Sequence, residues 1–302
     1  MFIRFAPKAA VAALSLALLT ACGDASAAQP AETPTPKGQE RQYQIQAIIA
    51  DCMKQKGFRY VPYVPPRRQK SEEELKRESG DYAAMKEFRE KYGFGVWASL
   101  VYPKEFGNPA VKPDGNPPVD PNWEIQSSLS EAQRKAYGEA YDACNAKAVK
   151  EVTGTEVTGS VFQMGEQINK RIAQLKAREL DGDPQLVDLA ARMASCLKGK
   201  GYQVQSATPS ALGDRGEKQY RAEMNRIGRG QRNAPSDDDK RFEGVEILVV
   251  PSMTADEARP YLAREIKEAL DDLECGKDFY PVYAPRSRDI DHRVYAEFGM
   301  GG

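Results

Sequence analysis

IQAIIADCMKQKGF, residues Ile45–Phe58, and LAARMASCLKGKGY, residues Leu189–Tyr202, are one pattern written twice at a constant offset. Ala47/Ala191, Ala50/Ala194, Cys52/Cys196, Lys54/Lys198, Lys56/Lys200 and Gly57/Gly201 are identical. Ile45, Ile48, Ile49, Cys52 and Met53 recur at the spacing of one helical stripe, as do Leu189, Met193, Cys196 and Leu197. Lys near the C-terminus suits the helix dipole, and Gly57 and Gly201 suit a left-handed terminating residue. Asp183-Pro184 supplies an N-cap followed by a proline at the first helical position. Two unrelated amphipathic helices would share apolar positions, but not also the Cys, both Lys and the Gly.

A second element recurs further out. Ser130 and Gln133 form a capping-box pattern ahead of a helix that reaches Cys144, and Thr254 and Glu257 repeat it ahead of Cys275. A weaker match joins Tyr92-Gly93-Phe94-Gly95 to Ile227-Gly228-Arg229-Gly230, each after a charged helix. Between the halves, Val161, Met164, Ile168, Ile172 and Leu175 mark a connecting helix. Strand signals are confined to Val245–Val250 and, more weakly, Phe58–Val64. The expected fold is therefore mainly α with minor β: two tandem copies of a disulfide-stapled helical unit joined by a helix.

The N-terminus reads as an address. Arg4 and Lys8 precede an apolar run at 9–19 that is too short to span a bilayer. Leu19-Thr20-Ala21-Cys22 then has the form of a bacterial lipobox, which implies diacylglycerol on the Cys22 thiol and cleavage before it. Cleavage removes two cations and no acids, taking the formal charge from −1 to −3. Residues 23–40 lack an apolar period and are expected to form a tether. The divisions that follow are signal peptide 1–21, lipidated Cys and tether 22–40, first repeat 41–156, connecting helix 157–182, second repeat 183–285 and polar tail 286–302.

Outside the cytoplasm, Cys52, Cys144, Cys196 and Cys275 read as two disulfides. Their wide spacing lacks the close pairs of a zinc site, and the single histidine, His292, gives a thiol no evident base. Three pairings are open. Cys52–Cys144 with Cys196–Cys275 is favoured, because a duplicated unit should first have folded alone.

The 302 residues carry 41% hydrophobic and 29% charged side chains with near-zero net charge, which argues against a nucleic-acid binder. No nucleotide-binding loop, nucleophile elbow or zinc-protease motif occurs, and no cofactor or metal is implied. Asp289, Asp291 and His292, and the run Asp237–Asp239, are better read as solvated charge than as metal ligands. The aromatic-proline stretches are more suggestive. Tyr60 and Tyr63 in the first, Tyr280 and Tyr283 in the second, and Trp123 after a proline-rich loop are candidate binding residues.

The Cys-Lys-Gly motif, the YGFG and the capped helix running into a Cys resemble uncharacterised secreted lipoproteins of actinobacteria. The resemblance implies location and fold, and brings no established activity. Two functional readings follow. One is a non-catalytic binding module anchored by Cys22 to the outer face of the cell membrane, with an envelope glycan or protein as partner. The other is a cell-envelope hydrolase or transferase using paired carboxylates, with no pair nameable from sequence.

Overall fold

A computed structural model describes residues 37–107, 119–231 and 240–300. In chain order the helices are α1 (Lys37–Gln55), α2 (Glu72–Glu78), α3 (Tyr82–Tyr92), α4 (Ala98–Val101), α5 (Pro121–Ser127), α6 (Glu131–Thr153), α7 (Val161–Glu179), α8 (Pro184–Gly199), α9 (Pro209–Gly213), α10 (Arg215–Gln231), α11 (Ala255–Cys275) and α12 (Tyr280–Glu297). A 3₁₀ turn covers Lys240–Phe242. The lipobox, Cys22 and the acidic run Asp237–Asp239 lie outside the described residues.

The twin motifs end their helices identically. Phe58 N–H donates to Met53 O (2.9 Å) and Gly57 N–H to Lys54 O (3.0 Å); Tyr202 and Gly201 do the same to Leu197 and Lys198 (both 3.0 Å). This is the Schellman closure, with Gly57 and Gly201 at φ +82° and +87°. Ser130/Gln133 and Thr254/Glu257 each form a reciprocal capping box, and Asp183 accepts from Leu186 N–H. Cys52–Cys144 staples α1 to α6 and Cys196–Cys275 staples α8 to α11, with Cα separations of 5.6 and 5.5 Å. Two stapled helix pairs in a mainly helical protein are thus present as read.

The cores do not divide along the repeat boundary. The larger one joins Ile49 and Met53 of α1 to Leu186, Met193 and Leu197 of α8 and Leu273 of α11. The smaller one joins Val96, Trp97 and Val101 of the first half to Tyr220, Met224 and Leu262 of the second. Accordingly α11 packs on α3 and α4 as well as on α8 and α10. Full burial of each large apolar side chain contributes about 1.5–3 kcal/mol, and here that gain crosses the halves.

Four sequence expectations are corrected. The minor β is absent: no strand occurs among the described residues. Burial does alternate along Val245–Val250, but its backbone is met by side chains. Val249 N–H donates to Asn225 Oδ1 (2.9 Å), Glu246 N–H to Glu166 Oε1 (3.3 Å), and Arg229 donates to Ile247 O (3.2 Å). The weak glycine match also fails, since Gly93 ends α3 whereas Gly228 and Gly230 sit inside α10. Residues 286–302 are not a polar tail: α12 runs through to Glu297 and buries Ile290 and Val294. Finally, α1 starts at Lys37, inside the stretch assigned to the tether.

Candidate functional site

α1 ends at the Gly57 turn, and the chain then runs as non-helical Phe58–Val64 past α5 and the start of α6. Between them lies a groove of about 630 Å³, lined by Gly57, Phe58, Arg59, Val61, Pro121, Glu124, Ile125, Ser128, Leu129, Gln133 and Tyr137. Local chemistry builds each wall. Asp120 caps α5, accepting from Asn122 N–H (2.8 Å), and Pro121 occupies the first turn. Pro121, Glu124, Ile125 and Ser128 then share one face at helical spacing. Tyr137 lies two turns before Cys144 on the buried stripe of α6, so the first disulfide fixes its position.

Asn122, only 1% exposed, holds the walls together. Its Oδ1 accepts from Val61 N–H (2.9 Å), and its Nδ2 donates to Val61 O (2.8 Å). Tyr137 is 3% exposed, packs edge-on against Phe58 (5.5 Å between centroids), and its buried hydroxyl has no hydrogen-bond partner. Burial pushes that hydroxyl up to about 12, with Tyr141 and Asp120 adding to the shift. It therefore stays protonated, an unspent donor and acceptor in a site where an unmade bond costs about 1–3 kcal/mol.

The predicted binding residues are dispersed. Tyr60 lies behind the groove, donating to Gln46 Oε1 (2.7 Å) beside the Tyr141 ring, and burial raises its hydroxyl pKa. Tyr63 lines a second hollow of about 380 Å³ with Val64, Pro65, Tyr141, Met164 and Phe298. Trp123 is 70% exposed; two residues beyond Pro121, it leaves α5 on the side away from the groove. Tyr280 and Tyr283 are core residues of α12. Tyr280 donates to Asp272, and Tyr283 stacks on Phe279 (4.8 Å) over Gly213. Asp291 pairs with Lys176 (3.4 Å) and Asp289 with Arg293 (3.1 Å). No group of metal-binding side chains assembles among the described residues, and no described helix is long and apolar enough to cross a membrane.

The most acidic buried ground is elsewhere, and it is spoken for. Glu265, Glu268 and Asp272 face inward from α11. Asp272 receives Arg89 (2.8 Å) and Arg215 (3.3 Å); Glu268 receives Arg215 (2.8 Å) and the Tyr220 hydroxyl (2.9 Å). The Arg89 guanidinium also lies 4.8 Å from the Tyr280 ring centre and 5.1 Å from that of Phe94. Glu265 accepts from Val96 and Trp97 N–H (2.9 and 2.8 Å), anchoring the turn after α3. These carboxylates tie the first half to the second.

No family model matches the chain, and no curated protein or solved structure matches it either.

The groove residues that matter most, Asn122 and Tyr137, were not singled out by sequence. Asn122 follows a capping Asp-Pro and reads as part of a turn; its bond to Val61 spans 61 positions. Tyr137 reads as one more apolar position of its stripe.

Proposed function

We propose that this chain is an exported lipoprotein, acylated on Cys22 and held at the outer face of the cell membrane. Its folded part acts there as a non-catalytic binding module for a component of the cell envelope, a glycan or a protein. The observation that carries the binding reading is the groove itself, which brings Phe58, Ile125, Leu129 and Tyr137 together from the segment after α1, α5 and α6. Its lining sets the apolar Phe58, Ile125 and Leu129 beside the polar Arg59, Glu124, Ser128 and Gln133, and a concave surface of apolar walls with a few polar groups is the ordinary form of a binding site. Export is supported by the lipobox and by two closed disulfides, which persist in oxidising compartments. We also infer that the two stapled helix pairs descend from one duplicated unit, since their motifs, caps and staples agree.

Two measurements test this reading. Metabolic labelling with a fatty acid should tag the wild-type chain and not a Cys22→Ser variant. The immobilised chain should retain an envelope component that a Ser128→Trp variant, its groove filled from an exposed position, releases. Absence of label, or equal retention by both proteins, overturns the reading.

A further inference from the structure

The two disulfides differ in burial. Cys52 is 8% exposed and Cys144 0%, whereas Cys196 is exposed and Cys275 half-buried. Cys196 lies in the last turn of α8, where its carbonyl accepts from Lys200 N–H (3.0 Å). A helix encloses its own backbone, so a residue exposed there is exposed through its side chain, and that of Cys196 ends in the bridging sulfur. One cause is written in the repeat. Three residues after the Cys, and so on the same face, the first copy has Gln55 and the second has Gly199. A Cβ built on Gly199 would meet nothing within 4 Å, so open space adjoins the face that carries the sulfur.

Charge separates the two sulfurs of this bond. Both sit at helix C-termini, where the dipole disfavours a thiolate. On α8, Arg192 and Lys200 stand one turn to either side of Cys196. They pair with Asp188 (2.6 Å) and Asp271 (2.7 Å), and Lys198 is exposed beside them. On α11, Asp271 and Asp272 stand one turn before Cys275, and Glu274 precedes it directly. Asp271 is shared with Lys267 (3.0 Å), and Glu274 accepts from the Tyr82 hydroxyl (2.9 Å). An incoming anion is therefore drawn to Cys196 and kept from Cys275.

We propose that Cys196 is a thiol-exchange site, modified by a small anionic thiol. The incoming thiolate attacks Cys196 Sγ. A new S–S bond forms as the Cys196–Cys275 bond breaks, and the electron pair leaves on Cys275 Sγ, which takes a proton from water. One thiol is consumed and one released, so there is no net oxidation. Cys275 then stays protonated at its helix end and is slow to attack back, because only the thiolate reacts. The end of α11 remains tied without the staple. Asp272, three residues before Cys275, holds Arg89 (2.8 Å), Arg215 (3.3 Å) and the Tyr280 hydroxyl.

The test incubates the full chain, both disulfides closed, with glutathione in detergent at mildly alkaline pH. The product is quenched, alkylated and mapped by mass spectrometry. Glutathione should appear on Cys196 and the alkylating label on Cys275, with the Cys52–Cys144 bond still closed. Cysteamine, a cationic thiol, should react severalfold more slowly at equal thiolate concentration in low salt, and the gap should close in high salt. Gly199→Gln, which places the first copy's residue there, should slow the reaction severalfold. The modified chain should keep its near-ultraviolet circular dichroism. An adduct on Cys275, opening of Cys52–Cys144 at the same rate, loss of the dichroism, or no reaction short of unfolding by denaturant overturns the proposal. So do equal rates for the two thiols, and a Gly199→Gln variant as fast as wild type.

Discussion

Glu265 shows how one side chain sets a pH dependence. It is fully buried, and desolvation pushes its carboxyl up to about 7 against the opposing pull of the amides of Trp97, Val96, Phe94 and Gly95. The folded state therefore holds a proton that the unfolded chain, at about 4.5, has already released. Its contribution is complete below about pH 4.5 and is lost as pH rises through about 7. The swing is on the order of 3 kcal/mol. Urea unfolding of wild type between pH 4.5 and 8 should show this decline relative to Glu265→Gln, which cannot titrate; parallel curves would contradict it. Asn122 offers a second residue-scale test. Asn122→Ala leaves both backbone groups of Val61 unpaired and should cost about 1–3 kcal/mol in the same assay. It should also loosen the Arg59 wall, seen as faster amide exchange at Val61.

Among the elements, α10 reverses an ordinary rule. Gly to Ala inside a helix usually stabilises by about 0.5–1 kcal/mol. At Gly228 a Cβ would run into the Val249 carbonyl, where the chain lies flat against the helix. Gly228→Ala should therefore destabilise by about 1–3 kcal/mol. At Gly165 in α7 nothing lies within 4 Å of an added Cβ, so Gly165→Ala should stabilise. Opposite signs in chemical unfolding confirm this packing, and equal signs refute it. The same region shows where sequence reading stops. The apolar stripes, capping boxes and glycine closures of α1, α6, α8 and α11 were legible because each depends on residues within a turn or two. Val245–Val250 was misread because alternation reports an extended chain and not its partner, and the partners here are side chains of α7 and α10. Tyr280 and Tyr283 read as binding residues of an aromatic-proline stretch, yet Pro281 falls in the first turn of α12, where no N–H is required, and the helix buries both rings. The groove was illegible for a different reason: its walls are 60 to 80 positions apart in sequence, and neither Asn122 nor Tyr137 departs from its local pattern.

At the scale of the whole molecule, two staples and one buried charge cluster hold interleaved halves. The disulfides close segments of 92 and 79 residues, and each contributes about 4 kcal/mol on a chain-entropy account. Because α11 packs on helices of both halves, calorimetry should show one cooperative transition. Replacing either cysteine pair by alanine should lower that single transition, whereas two separable transitions would mean the halves are independent. The functional claim is that this frame presents the groove to the envelope from a lipid anchor, and it is tested most directly in intact cells. A photo-reactive phenylalanine analogue is placed in the full chain at Glu124 on the groove rim, and in a second chain at Arg221 on the exposed face of α10. On illumination, position 124 should yield a discrete adduct with an envelope component, suppressed by Ser128→Trp, and position 221 should not. No adduct from position 124, or the same adducts from both, would contradict the account.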